Sequence, residues 1–349
     1  MAASSHVSDL IDESPPLRRF CRLLRDRPLL VFPLFLGLYG YGTIDVSDFE
    51  VLSAAPWQLH VEPSRQFLQF SPLAFFLGYP LTSLIGARWS FAIVMLGGFA
   101  FFAASLARFA AVRYGAHRHD AMLMVFATPL LIVLSQYLGK GDPYMVALVL
   151  LLVSSSHPIA QVLLACLVVL SHLEMGLLVL ASAVVLGIVP FRTTAFGAAA
   201  GFLGIYGYHH YLLPATPQSR AAMGTAYLSE AVAAVINTPI LHLVFTFGAF
   251  WSCVFTAWPM NWRWRVVCLG TMAIACATLD FTRVFVLLGL PLVIAVVDAI
   301  FPQPPHAASD HEAPRWFIAL PLCALVQVHL LSGYVFDSRL PELVGRVLD

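Results

Sequence analysis

Three carboxylates lie close together in a chain that carries few charges. Asp45, Asp48 and Glu50 follow the first long apolar segment, and only 11% of the 349 residues are charged. A carboxylate can act as a general base when the proton that it removes lies within hydrogen-bonding reach. The cluster therefore predicts acid–base chemistry. The alternative is a solvated helix end or an Asx turn.

Other ionisable residues stand where later apolar runs end. The cations that could hold a phosphate are Lys140, Arg220 and Arg283. The residues that could support the same site are Asp142, His172, Glu174 and Asp280. Charges near a bilayer are costly unless they are paired or line a wet cavity. We therefore expect these residues to share one polar site with the three carboxylates.

The candidate phosphate ligands also have simpler interpretations. Lys140 could pair with Asp142 and close a tight turn, and Arg220 could be a plain surface charge. Asp280 and Arg283 are spaced i, i+3, so they would meet in a salt bridge on a helix. These alternatives stay open at the level of sequence.

Metal and disulfide sites are not predicted. His172 and Glu174 would point apart on a helix, which favours a polar interhelical contact over a shared metal ion. The six cysteines lie mostly inside apolar runs and show no C-x-x-C spacing. We interpret them as small core residues.

Composition predicts the elements that must position these residues. Hydrophobic residues make up 60% of the chain and the mean hydropathy is +0.83. Apolar runs of roughly 17 to 25 residues, the length that crosses a bilayer, recur along the sequence. We predict an all-α, polytopic transmembrane protein with about eleven spans and a single integral membrane domain over residues 1–349. The formal net charge is zero, so nothing points to nucleic acid.

The basic residues predict the orientation. Five arginines stand before the first apolar run, which places segment 1–27 in the cytoplasm as a retained, uncleaved N-terminus. The first span, about 28–44, then delivers the carboxylates to the outer face. Segment 214–239 is predicted as an outer loop and segment 301–315 as a cytoplasmic loop. The C-terminus is expected outside.

The first outer loop, 45–88, contains an ambiguous apolar stretch, Phe70–Gly86. If it crossed the membrane, Arg108, Arg113 and Arg118 would lie on the outer face, against the positive-inside rule. If it lay along the outer interface as a helix broken by proline, every later loop would agree. We therefore predict interfacial helices in this loop.

Acids on one outer loop and cations on later ones suit sugar transfer from a polyprenyl phosphate. A carboxylate, Asp48 or Asp45, would deprotonate the acceptor hydroxyl, and Glu50 would support it. Cations would stabilise the departing phosphate, most strongly where water is scarce. The guanidinium of an arginine is suited to binding two phosphate oxygens at once.

Three short motifs resemble the multi-spanning glycosyltransferases of the C superfamily. They are Asp48-Phe-Glu50 after the first span, Phe70-Ser-Pro-Leu-Ala74, and Gly139-Lys-Gly-Asp142. In that superfamily the first outer loop carries the catalytic acid and continues into helices along the membrane. The resemblance covers about residues 28–145 and implies Asp48 as the preferred base, with the possibility of a divalent cation left open.

The resemblance implies a polyprenyl-phosphate-linked sugar as donor and a glycan or a lipid as acceptor. It implies a protein of the bacterial cytoplasmic membrane that takes part in cell-envelope polysaccharide synthesis. Two alternatives are a polymerase or ligase of lipid-linked polysaccharides, and a lipid or glycan transporter or flippase. A transporter would place its ionisable residues near the midplane on broken helices. The predicted gathering of charges at one boundary favours the enzyme.

Overall fold

A computed structural model describes residues 14–40, 46–136, 141–218, 220–257, 261–278, 280–301, 315–325, 327, 329–331 and 334–336. This part of the chain is all-α apart from one short hairpin, which confirms the predicted fold class at this level.

The first nine α-helices are α1 (Pro15–Asp26), α2 (Val31–Tyr39), α3 (Val46–Ala54), α4 (Leu73–Ile85), α5 (Ala87–Tyr114), α6 (Arg118–Phe126), α7 (Leu130–Gln136), α8 (Asp142–Ser154) and α9 (Pro158–Ser171). The other nine are α10 (Leu173–Val185), α11 (Phe191–Gly207), α12 (Arg220–Asn237), α13 (Pro239–Phe247), α14 (Trp251–Thr256), α15 (Trp262–Cys276), α16 (Phe281–Leu288), α17 (Leu290–Ile300) and α18 (Leu320–Leu325). The antiparallel hairpin pairs β1 (His329–Leu331) with β2 (Tyr334–Phe336).

The number of candidate membrane spans is smaller than predicted. By length and composition, one helical stretch in the described residues, Ala87–Phe126, is long and apolar enough to cross a membrane. Two bent pairs, residues 63–70 with α4 and α16 with α17, raise the number to three. The prediction of about eleven spans is therefore wrong. Most of the apolar runs form helices of 6 to 17 residues, because glycines, prolines and polar residues interrupt them.

The 40-residue stretch Ala87–Phe126 reverses direction. The ring centroids of Phe102 and Phe126 lie 6.5 Å apart, although 24 residues of continuous helix would separate them by about 36 Å. The reversal occurs at Gly115, which has a φ of +53° and opens a 3₁₀ turn over residues 115–117. Helix α5 alone has 28 residues, or roughly 42 Å at 1.5 Å per residue, and exceeds the thickness of a bilayer core.

The segment predicted as the first outer loop is helical and sharply bent. It contains α3, a 3₁₀ segment over residues 63–70, and α4. The last two meet at 98°, at Ser71 and Pro72. Segment 214–239, predicted as an outer loop, contains the 18-residue helix α12. Residues 302–314 of the predicted cytoplasmic loop lie outside the described residues.

A buried glutamine satisfies the backbone where α6 and α7 are separated. The Nε2 atom of Gln327 donates to the carbonyl of Phe126 at 2.6 Å, and the backbone N–H of Ile132 donates to its Oε1 at 3.0 Å. The hydroxyl of Thr128 donates to the carbonyl of Val125 at 2.7 Å. A helix break in an apolar interior is tolerated when such side chains replace the lost backbone partners.

Three helix breaks meet in the core. Gly248, at a φ of +56°, ends α13 and lies against the ring of Pro129, which follows α6. Gly289 separates α16 from α17, which are bent by 51°. Residues from all three breaks line a cavity of about 10 Å³, including Thr128, Phe247 and Gly289.

Helices α9 and α11 pack closely because α11 presents glycine at the contact. A Cβ on Gly197 would meet the carbonyl of Val162, and a Cβ on Gly201 would lie 2.7 Å from the carbonyl oxygen of Cys166. Glycines four residues apart allow two backbones to approach in this way in membrane proteins. This glycine motif was not among the features predicted from the sequence.

The substitution Gly201→Ala should destabilise the protein, whereas Gly270→Ala should not. The new Cβ of the first variant collides with backbone, so we expect the free energy of unfolding to fall by about 1–3 kcal/mol. Gly270 in α15 has open space around it, so there alanine should add about 0.5–1 kcal/mol through helix propensity. Unfolding of both variants in detergent micelles measures the difference. Equal stabilisation of the two would contradict the close packing.

Candidate functional site

Asp48 lies in the first turn of α3, where its carboxylate is favoured by the helix dipole. Phe49 is fully buried and packs edge-on against Phe91, with ring centroids 5.3 Å apart. This anchor fixes the rotation of α3. Asp48 is only 8% exposed, in a segment where an isolated charge would be costly.

The carboxylate of Asp48 meets a histidine and an arginine. Its Oδ1 lies 3.0 Å from Nε2 of His60, and its Oδ2 lies 3.8 Å from Nη1 of Arg65. The backbone N–H of Glu62 donates to Nδ1 of His60 at 3.1 Å. In the tautomer that carries the ring proton on Nε2, His60 accepts at Nδ1 and donates to Asp48.

Two glutamines hold the segment that carries His60. The backbone N–H of His60 donates to Oε1 of Gln69 at 3.1 Å, and Nε2 of Gln66 donates to the carbonyl of His60 at 3.2 Å. Both glutamines are buried, as is His60. Because the segment from residue 55 to 62 is irregular, these side chains replace the partners that regular structure would supply.

A π-helical turn over residues 208–212 braces this segment from the end of α11. The hydroxyl of Tyr208 donates to the carbonyl of Pro56 at 2.5 Å and accepts from Nε2 of Gln69 at 3.2 Å. Nε2 of His209 lies 3.1 Å from the carbonyl of Gln69. A fully hydrogen-bonded buried network of this kind holds its members in one arrangement.

Two exposed cations border the carboxylates. Arg65 keeps 42% of its side chain exposed and Arg88 keeps 93%. Nε of Arg88 lies 3.8 Å from Oε1 of Glu50, which is about one-third exposed. We call Asp48, Glu50, His60, Arg65 and Arg88 the loop cluster. The cluster can hold a proton on a buried carboxylate and an anion on its exposed guanidinium groups.

A second polar cluster is a buried ion pair. Nε and Nη2 of Arg283 donate to Oδ2 and Oδ1 of Asp142 at 2.6 and 2.9 Å. Nη1 of Arg283 lies 3.4 Å from Oδ2 of Asp280, the i, i+3 pair that the sequence suggested. The side chains of Arg283 and Asp142 are 3% and 0% exposed.

The junction between α9 and α10 lies beside this pair. A Cβ on Gly141 would be 3.1 Å from the carbonyl oxygen of Ser171. His172 is buried at this junction, and Glu174 lies in the first turn of α10. In the described part of the chain, no three His, Cys, Asp or Glu side chains are grouped to hold a metal ion.

The structure therefore brings five of the described candidates into two clusters, and His172 and Glu174 lie at the junction of α9 and α10. Asp48 and Glu50 belong to the loop cluster, and Asp142, Asp280 and Arg283 belong to the buried ion pair. Tyr144 links them through packing, because it follows Asp142 in α8 and contacts the hydrophobic cluster around Phe49. Asp45 and Lys140 lie outside the described residues, as does the side chain of Arg220, the first residue of α12.

His60, Arg65 and Arg88 were not among the site residues predicted from the sequence. The sequence did contain an indication of their role. Polar residues are rare in this chain, and His60 and Arg65 follow the acidic motif in the same loop. The sequence could not predict the contact between Gln69 and Tyr208, which are 139 positions apart in the chain.

Arg283 can be explained as a structural ion-pair partner or as a phosphate ligand, and these two explanations predict different outcomes for Arg283→Met. A buried pair broken on one side leaves an uncompensated carboxylate, so we expect the free energy of unfolding to fall by about 3–5 kcal/mol. The double variant Arg283→Met/Asp142→Leu should recover most of that loss, since both charges are removed. Denaturation in detergent measures both. A single variant with unchanged stability but weaker binding of a polyprenyl phosphate would instead support the predicted phosphate ligand.

Comparison of the chain with protein families, with curated proteins and with solved structures finds no match. The resemblance to the C superfamily of glycosyltransferases therefore stays a prediction.

Proposed function

We propose that this protein is an integral membrane glycosyltransferase that uses a polyprenyl-phosphate-linked sugar at the extracytoplasmic face. The observation that most directly supports this proposal is the buried carboxylate of Asp48, which lies 3.0 Å from Nε2 of His60 and is bordered by exposed arginines. The acceptor is a glycan or a lipid, and the setting is the assembly of envelope polysaccharide in a bacterial cytoplasmic membrane.

In the proposed reaction, Asp48 removes the proton of the acceptor hydroxyl. The acceptor oxygen bonds to the anomeric carbon, the bond from that carbon to the phosphate oxygen breaks, and the electron pair leaves with the lipid phosphate. His60 lies against Oδ1 of this carboxylate and Arg65 against Oδ2. A single displacement of this kind inverts the anomeric centre.

The cations beside the carboxylates are better placed to hold the phosphate than Arg283 is. Arg65 and Arg88 are exposed, and each lies 3.8 Å from a carboxylate of the loop cluster. The guanidinium of Arg283 donates to two carboxylates and is almost fully buried. A phosphate would have to displace Asp142 to reach it. Lys140 and Arg220 remain proposed phosphate ligands.

The membrane placement has two kinds of support. Helix α5 and the two bent pairs are candidate spans, and α9 and α11 pack through glycines as membrane helices do. Long-range side-chain contacts also join residues that the sequence assigns to the same side. Arg25–Asp120 and Arg113–Asp298 join predicted cytoplasmic residues, and Arg283–Asp142 and Gln69–Tyr208 join predicted outer ones.

One observation favours a transporter or flippase as the second candidate. The three helix breaks that meet near Thr128, Gly248 and Gly289 are the feature expected of alternating-access proteins. The loop cluster favours the enzyme, because it combines a buried carboxylate with exposed cations.

The substitution Asp48→Asn tests the proposed base. The amide oxygen can still accept from His60, so the fold should be kept, while the rate of sugar transfer should fall by about 10²–10⁴-fold. The assay supplies proteoliposomes with radiolabelled polyprenyl-phosphate hexoses and pentoses and measures release of the lipid phosphate. Glu230→Gln removes an exposed carboxylate of α12 and is the matched control, with full activity expected.

Full activity in Asp48→Asn would remove Asp48 as the base. A different outcome would be a wild-type protein that releases no lipid phosphate from any donor and moves a labelled polyprenyl phosphate between leaflets. That result would contradict the transferase and support the flippase.

A further inference from the structure

A cleft at the predicted cytoplasmic end of the molecule is separate from both polar clusters. It opens between residues 26–30 and the facing parts of α5 and α6, and its volume is about 560 Å³. Its lining comes from the end of α1, the 3₁₀ turn Pro28–Leu30, the C-terminal half of α5 and the start of α6.

The lining is amphipathic. Leu29, Leu30, Ala107, Ala111 and Met122 provide an apolar floor. Leu29 and Leu30 are 41% and 37% exposed, so this floor is not closed off by the protein in the part of the chain that the structure describes. An exposed apolar floor of this kind, beside the candidate span α5, matches the edge of a bilayer.

The rim is basic. Arg27 and Arg118 both line the cleft and are exposed, and Asp26 is the carboxylate beside them. Nε of Arg118 donates to Nε2 of His119 at 3.3 Å. The rim thus carries two guanidinium groups against one carboxyl group, and its cationic groups outnumber its acidic one.

Two neighbouring arginines, unlike the arginines of the rim, are held in ion pairs within the described residues. Arg25 makes a bidentate pair with Asp120, and Arg113 makes a bidentate pair with Asp298. Among the residues that the structure describes, Arg27 and Arg118 make no ion pair within 4 Å. Asp120 and Asp298 are thus bound by the inner arginines, and the outer arginines face the cleft together with Asp26.

We infer that the cleft binds an anionic phospholipid of the cytoplasmic leaflet, with the phosphate at Arg27 and Arg118 and an acyl chain over the leucine and alanine floor. Basic pockets between helices on the cytoplasmic side of membrane proteins bind acidic headgroups in this manner. The inference depends on the proposed membrane placement and does not depend on sugar transfer.

Native mass spectrometry of the full chain in detergent, titrated with phosphatidylglycerol, tests the site. In the variant Arg27→Gln/Arg118→Gln we expect the dissociation constant of the most tightly bound phosphatidylglycerol to rise about 30-fold, since each basic residue contributes about 1 kcal/mol. The matched control Arg19→Gln/Arg192→Gln removes two exposed arginines elsewhere and should keep the wild-type affinity.

A second variant tests the same site independently, in case the charge variant misfolds. Ala111→Trp fills the floor and keeps every charge, so it should weaken phosphatidylglycerol binding while the protein stays monodisperse. Equal affinity in the charge variant and its control would overturn the inference. So would phosphatidylcholine binding as tightly as phosphatidylglycerol, or displacement of the lipid by inorganic phosphate at millimolar concentration, which would indicate a site for a soluble anion.

Discussion

Buried backbone groups that helices leave unpaired must find partners inside the protein, and this constraint shapes the whole molecule. Gln327 supplies both an acceptor and a donor where α6 and α7 separate. Gln69 does the same for the irregular segment that carries His60. In a chain with 60% hydrophobic residues, few other side chains are available for the purpose. The need to pair buried backbone groups therefore accounts both for the junction between α6 and α7 and for the position of His60 beside the candidate base.

The two polar clusters satisfy their charges in different ways. Arg283 and Asp142 neutralise each other with bidentate hydrogen bonds and no access to solvent, which is the geometry of a structural contact between α8 and α16. Asp48 is also buried, but its partners reach the surface, since Arg65 is 42% exposed. Of the two clusters, the loop cluster is the one whose cations face solvent, so an anion can reach them without displacing a buried carboxylate.

The sequence predicted the helical class and a proline-broken helix within Phe70–Gly86, and it offered the pairing of Asp280 with Arg283 as one of two explanations, because each follows from local composition or spacing. It failed on the number of spans. Hydropathy averages over a window, so an apolar run that bends at Gly289 or stops at Pro129 looks continuous. The role of His60 was also missed, because the contacts that position it come from residues far along the chain, such as Tyr208.

The position of the helix breaks bears on the choice between enzyme and transporter. In a transporter, broken helices present backbone groups and ionisable residues to a substrate at the same place. Here the breaks enclose a cavity of about 10 Å³, about the size of one water molecule, lined mainly by apolar side chains and two threonines. The hydroxyls of Thr128 and Thr246 already donate to nearby carbonyls. The breaks therefore offer no charged group to a substrate, whereas the loop cluster offers several, and this difference favours the transferase.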